Sequence, residues 1–172
     1  MQIRSIQVGA SCIGLLAVAG IAYGASLSGA DKQFLAIAAR ADMTEAHEGQ
    51  IAEDRAAAPA VKDFAKTMVQ DHTENYERLT VLAAQDGVPI PKGINSARDP
   101  AIRQLVHLKG PSFDRTFATD EIAAHRHAIA VFKHEAEHGQ DPGVKAFAEK
   151  TIPVLEKHLQ LAEACAKRAK HS

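Results

Sequence analysis

Two stretches, Pro59-Ala-Val-Lys-Asp-Phe-Ala65 and Pro142-Gly-Val-Lys-Ala-Phe-Ala148, agree at five of seven positions. Each begins with proline, whose fixed φ and missing N–H suit the first turn of a helix. Each then continues as an amphipathic run with apolar residues three and four apart. The repeat makes these two segments equivalent members of two helical hairpins.

Their hairpin partners lie just upstream. The first long segment is expected from about Asp31 to Ala57, with Asp31 as N-cap and a face of Phe34, Ala38, Ala41, Glu45, Glu48 and Ala52. The second runs from Pro59 to a stop at Gly87, with Pro89 and Pro91 beyond it, and its face is Val61, Ala65, Met68, His72, Tyr76, Leu79 and Ala83. The third follows Pro111, with Ser112 as N-cap, and ends at Gly139; its face is Ala118, Ile122, His125, Ile129, Phe132 and Ala136. The fourth is opened by Asp141-Pro142 and presents Ala148, Leu155, His158, Ala162 and Cys165. Pro153 inside it removes one backbone hydrogen bond and is expected to kink it. No segment alternates apolar and polar residues as a half-buried strand does. Between Gly87 and Pro111 lies a linker with room for a short helix at Asp99-Pro100. At about 3.3 Å per extended residue the linker can run back along the whole bundle. The reading is an all-α, ferritin-like four-helix bundle with a long crossover between the second and third helices.

The first thirty residues have a different character. Arg4 is the only charged residue before Asp31, an apolar run from Ile13 to Ala22 follows it, and small residues occupy Gly24 to Ala30. That order is the one found in a secretory signal peptide. The expected organisation is therefore a signal peptide over 1–30 and a bundle over 31–172, in a periplasmic or secreted protein. The alternative is an inner-membrane anchor formed by residues 5–25, which would be the chain's only membrane contact. Cleavage would leave Cys165 as the sole thiol, so no internal disulfide is expected.

Composition narrows the function. Of 172 residues, 20 are basic and 21 acidic, a net charge of −1, so there is no basic footprint for nucleic acid. Aromatic residues are 5% and tryptophan is absent, which argues against base-stacking platforms. Gly-x-Ser-x-Gly, a glycine-rich phosphate loop, His-Glu-x-x-His and Cys-x-x-Cys are all missing, so no enzyme class is indicated. Histidine is the outlier at 9 residues.

One ionisable residue per helix falls on the apolar face near mid-length: Glu45, His72, His125 and His158. In a bundle the helix middles share one layer, so these four should converge in the core. An unpartnered polar group there costs several kcal/mol. One carboxylate with three imidazoles suits a single zinc, copper or iron ion or a layer that senses protons, with Asp71 beside it as a group that orients a ligand or as a contact to the fourth helix. The competing reading is a metal-free polar core that fixes helix register, in a non-catalytic module that docks a partner of the cell envelope. A di-iron site of the ferritin kind needs Glu-x-x-His on two helices, but Val69 and Leu155 stand three residues before His72 and His158. His134 and His138 are four apart, a spacing that can hold a surface metal, and are read as a solvated face. His127 is expected to be exposed, and Cys165 to pack.

The stretches Glu45-Ala-His-Glu-Gly-Gln-Ile-Ala52, Val61-Lys-Asp-Phe-Ala-Lys-Thr-Met-Val-Gln-Asp-His72 and Val144-Lys-Ala-Phe-Ala-Glu-Lys-Thr-Ile-Pro-Val-Leu-Glu-Lys-His158 resemble a bacterial family known as domain of unknown function 4142. The resemblance spans Asp31 to Ala166 and implies a ferritin-like four-helix fold and a cell-envelope location. The family usually carries Asp before the third-helix histidine, where this chain has Ala124.

Overall fold

A computed structural model of the chain describes residues 27–94 and 99–169. The expected signal peptide lies almost wholly outside the described residues. Five helices follow in order: α1 (Gly29–Arg55), α2 (Pro59–Gln85), α3 (Asp99–Leu105), α4 (Gly110–His138) and α5 (Pro142–Ala169). Among the described residues there is no strand, and no helix is long and apolar enough to cross a membrane.

Local chemistry sets the ends. Ser28, not Asp31, is the N-cap of α1: its hydroxyl accepts from Asp31 N–H, and the Asp31 carboxylate accepts from Ser28 N–H, a reciprocal capping box. The sequence reading placed the cap three residues late because either residue type can serve. At the end of α2, Gly87 takes φ +65°, while Val88 N–H reaches Ala83 O and Gly87 N–H reaches Ala84 O. That pattern closes a helix at a left-handed residue, which glycine adopts without steric cost. α4 begins before the expected cap at Ser112, with Lys109 as N-cap and Pro111 in the first turn; the Ser112 hydroxyl donates back to Lys109 O. Asp141 accepts from Val144 N–H and caps α5, as expected. The α5 helix runs unbroken in assignment through Pro153, which faces solvent.

The core has two apolar ends. One joins Phe34 and Leu35 of α1, Leu79 and Ala83 of α2, Phe132 of α4, and Val144 and Phe147 of α5. The other joins Ala52 of α1, Val61 and Phe64 of α2, Phe113 and Phe117 of α4, and Ala162 and Cys165 of α5. The start of α1 therefore lies with the end of α2, the end of α4 and the start of α5. Hence α2 and α4 run parallel, and the connection carrying α3 must travel the length of the bundle between them. This is the crossover that the linker length predicts. Edge-on aromatic contacts tie one end, with Phe34 and Phe132 centroids 5.0 Å apart; Phe113 stacks on Phe117 at 5.6 Å in the other.

Polar groups pin the hairpins. Asp114 of α4 accepts from Ala57 N–H and Ala58 N–H at 3.0 and 2.9 Å, satisfying the α1–α2 corner. At the opposite end Asp31 accepts from Gln140 N–H, fastening α1 to the α4–α5 turn. Asp31 also meets Glu135. Burial pushes the Glu135 carboxyl up, and the hydrogen bond and negative charge of Asp31 add to this, to about 7. Burial acts the same way on Asp31, but bonds from Gln140, Ser28 and Glu135 outweigh it and hold Asp31 below its usual range.

Two outcomes follow from these contacts. A Cβ at Gly49 would meet Val69 Cγ2 at 2.8 Å and Ala65 O at 3.0 Å. Gly49→Ala should therefore destabilise by about 1–3 kcal/mol through overpacking, outweighing the gain of roughly 1 kcal/mol that alanine brings to a helix; chemical denaturation measures the sign. For Glu135, a folded value near 7 above the ordinary 4.5 means the folded state binds more proton between the two. Its contribution is full at acid pH and is lost as pH rises through 7. Glu135→Gln, which still donates to Asp31, should raise the melting temperature at pH 8 relative to the wild type and narrow that gap at pH 5.

Candidate metal centre

Between the two apolar ends lies one polar layer, built by helical spacing alone. On α1, Asp42, Glu45 and Glu48 are three apart and face inward. Asp71, His72 and Asn75 supply it from α2, Glu121 and His125 from α4, and Thr151 and His158 from α5. Asp42, Glu45, Glu48, His72, Asn75, Glu121, His125, Thr151 and His158 are all buried.

The three imidazoles form the centre of the layer. Ring centroids are 5.8 Å apart for His72 and His125, 5.1 Å for His72 and His158, and 5.2 Å for His125 and His158. Each ring is held from outside by an oxygen. His72 Nδ1 lies 2.9 Å from Asp42 Oδ1, His158 Nε2 lies 2.9 Å from Asp71 Oδ2, and His125 Nδ1 lies 3.0 Å from the Glu121 backbone carbonyl. Asp42 is fixed in turn by Asn75, whose amide donates to both carboxylate oxygens, and Thr151 donates to Asn75 Oδ1. Imidazoles that bind metal are oriented in this way, through their outer nitrogen.

The outer bonds determine what faces inward. Carbonyl and carboxylate oxygens only accept, so the outer nitrogens carry the protons. The inner nitrogens are then His72 Nε2, His125 Nε2 and His158 Nδ1, each presenting a lone pair when its ring is neutral. His125 Nε2 and His158 Nδ1 stand 3.2 Å apart. Among the described residues, buried His72 Nε2 has no hydrogen-bond partner. One ligand atom from each of these three histidines falls within 4.8 Å of the others, and the same holds for Glu45, Glu121 and His125. The three histidines could thus hold an ion, with the two glutamates next to it.

Electrostatics agree with this arrangement. Burial pushes the His72 imidazolium down, but the hydrogen bond and charge of Asp42 outweigh it and raise His72 above its ordinary value. Burial raises the Asp42 carboxyl despite the attraction of His72, so the pair holds its proton tightly across the 2.9 Å bond. Burial and then the charge of His72 depress His158 to about 4, against the opposing bond to Asp71. Without an ion, these neighbours favour a proton on His72 and oppose one on His158.

All four residues singled out in the sequence lie in this layer, though not as one set. His72, His125 and His158 meet; Glu45 groups with Glu121 and His125 instead. Asp71 holds His158, in the orienting role expected of it. Asp42 and Asn75 were missed because neighbouring Ala41 and Tyr76 looked better suited to the core, yet both of these are only half-buried. Likewise Glu121 and Glu135 are buried where Ile122 and Ala136 were expected to face in. The available signal was the three-residue spacing of Asp42 to Glu45 and of His72 to Asn75. His134 and His138 are exposed and stacked, with centroids 4.5 Å apart. Cys165 is buried, donates to Ala60 O at 3.6 Å, and has its thiol pushed up by burial, all marks of packing.

The chain belongs to the DUF4142 family, a domain of unknown function whose family model matches residues 17–165. No curated protein sequence matches it. The fold is shared with a DUF305 fragment from Deinococcus radiodurans, at a TM-score of 0.75 and 14% identity over 84% of this chain and 99% of that one. A DUF305 protein from Streptomyces coelicolor is similar at a TM-score of 0.72 and 15% identity, over 82% and 92% of the two chains. CopM in its Cu(I)-bound form is similar at a TM-score of 0.67 and 15% identity, over 80% and 96%.

The hydrogen-bond chain makes a stability prediction. Asn75→Ala removes both bonds to buried Asp42 and the acceptor for Thr151. Thr151 keeps its bond to Phe147 O and Asp42 Oδ1 keeps His72, so the loss falls on Asp42 Oδ2 and should cost about 1–3 kcal/mol. Arg126→Ala, which breaks an exposed pair with Glu163 at 2.9 Å, should cost no more than about 1 kcal/mol. Urea unfolding of the two variants gives the comparison.

Proposed function

We propose that this chain is an exported cell-envelope protein that binds a single transition-metal ion on His72, His125 and His158, with Glu45 and Glu121 beside it, and that copper is the preferred ion. The observation that carries this reading is the set of three inward-facing nitrogens, each backed by an oxygen that fixes its tautomer. With its three rings neutral the triad concentrates lone pairs around one point, which a cation relieves, and the ion displaces the proton that Asp42 favours on His72. Imidazole donors suit copper, zinc and iron, and at equal geometry the order of affinity among divalent ions peaks at copper(II). The CopM neighbours were crystallised with Cu(I), Cu(II) and Ag, which supports copper as the ion to try first. Export rests on Arg4, the apolar run Ile13–Ala22 and the small residues after it.

A second reading has its own support. The His72–Asp42 and His158–Asp71 pairs are complete with a proton alone, as in a metal-free core that serves an envelope structural or interaction module. Titration of untagged chain, residues 31–172, with Cu(II) and with Zn(II) separates the two. One ion per chain is expected, with a rise in stability of about 2.7 kcal/mol at a hundredfold excess over Kd. His72→Ala, His125→Ala and His158→Ala should each abolish binding, and His134→Ala should leave it unchanged. No stoichiometric binding would favour the metal-free reading, and binding that survives all three triad changes would put the ion elsewhere and overturn the triad as its site.

A further inference from the structure

The triad is sealed: His72 is 4% exposed, His125 1% and His158 0%. An ion that reaches it needs a route, and the four seams between helices are not equivalent. The α1–α2, α4–α5 and α2–α5 seams are closely packed, whereas α1 and α4 touch sparingly. In the α1–α4 seam lies a cleft of about 130 Å³. Its walls combine the small side chains of Ala41 on α1 and of Ala124 and Ala128 on α4 with the larger Ile37, Val131, Phe132 and Leu155. Its floor is Asp42, Glu45, His72 and His125, two carboxylates and two of the three histidines. His158 is not part of the lining, so it forms the back of the triad as seen from the cleft.

The mouth also carries metal-binding chemistry. His127 is exposed and lines this cleft, and it also lines a shallower surface groove that extends along α1 and α4 to exposed His134. Imidazoles therefore mark a path from the surface to the triad, first His134 and His127, then the inner pair. Between them Glu45 adds an oxygen donor at the level of the floor.

We infer that the alanine-walled cleft between α1 and α4 is the port through which an aqueous divalent cation enters and leaves the triad, with His127 as the capturing residue at its mouth. The inference rests on the metal reading above and adds a route to it. The small side chains are then functional: they keep the two helices from closing over the floor. A single port makes a kinetic signature, because whatever obstructs entry obstructs exit equally and leaves the equilibrium alone.

The test is stopped-flow mixing of Cu(II) with the apo protein, and of the loaded protein with a chelator in excess, alongside Kd from chelator competition. Ala124→Leu and Ala128→Leu, each placing a branched side chain in the cleft, should slow association and release together by at least an order of magnitude with Kd unchanged. His127→Ala should slow association several-fold without loss of stoichiometry. If neither leucine variant slows exchange while Kd is preserved, the port is elsewhere and the inference fails, with the triad reading intact. If the wild type takes up no Cu(II) at all, the triad reading and the port fall together.

Discussion

His125 Nε2 and His158 Nδ1 stand 3.2 Å apart in the centre of the bundle, and His72 Nε2 points at the same space. Two imidazole lone pairs facing each other at that distance repel, and a positive charge among the three rings relieves this. The Asp42, Asp71 and Glu121 oxygens prevent the rings from escaping by turning over, because each holds an outer N–H. The charge can be one proton, held by His72 under the influence of Asp42, or a metal ion. The remainder of the fold serves to keep this arrangement in place.

That dependence explains the division of the core. Phenylalanine-rich clusters fill both ends, and only the middle layer is polar. A bundle of uniform apolar stripes could slide by a turn with little loss; a ring of acids and imidazoles at one depth on all four long helices cannot. α2 (Pro59–Gln85) and α4 (Gly110–His138) run parallel, as the crossover imposes, and His72 and His125, each near mid-helix, therefore reach the same level. Gly49 allows α1 to approach α2 closely enough for Asp42 to reach His72. The α1–α4 seam is the exception to close packing, and it opens onto the layer.

Much of this was legible from residue order. The repeated Pro-x-Val-Lys-x-Phe-Ala, the proline and glycine stops and the linker length specify two hairpins and a crossover, and the equal depth of Glu45, His72, His125 and His158 specifies a layer. What remained hidden has one physical cause. Successive helical residues differ by about 100°, so an edge position can be assigned to either of two neighbours, and hydrophobicity decides between them. That criterion selected Ala41 over Asp42, Tyr76 over Asn75 and Ile122 over Glu121, in each case favouring the residue that is less buried. Acids and amides are buried here because partners on other helices satisfy them, and those partners are tens of residues away in sequence. The split of Glu45 from the histidine triad is similarly a matter of side-chain direction within a layer, which spacing along one helix does not encode.

The most direct test is X-ray absorption at the copper edge of the untagged protein loaded with one equivalent of Cu(II). The account predicts a first shell of nitrogen and oxygen with outer-shell scattering from three imidazoles, and no bound copper in His158→Ala. A spectrum without imidazole scattering, or one dominated by sulfur, would contradict it and leave the polar layer as a proton-sharing core.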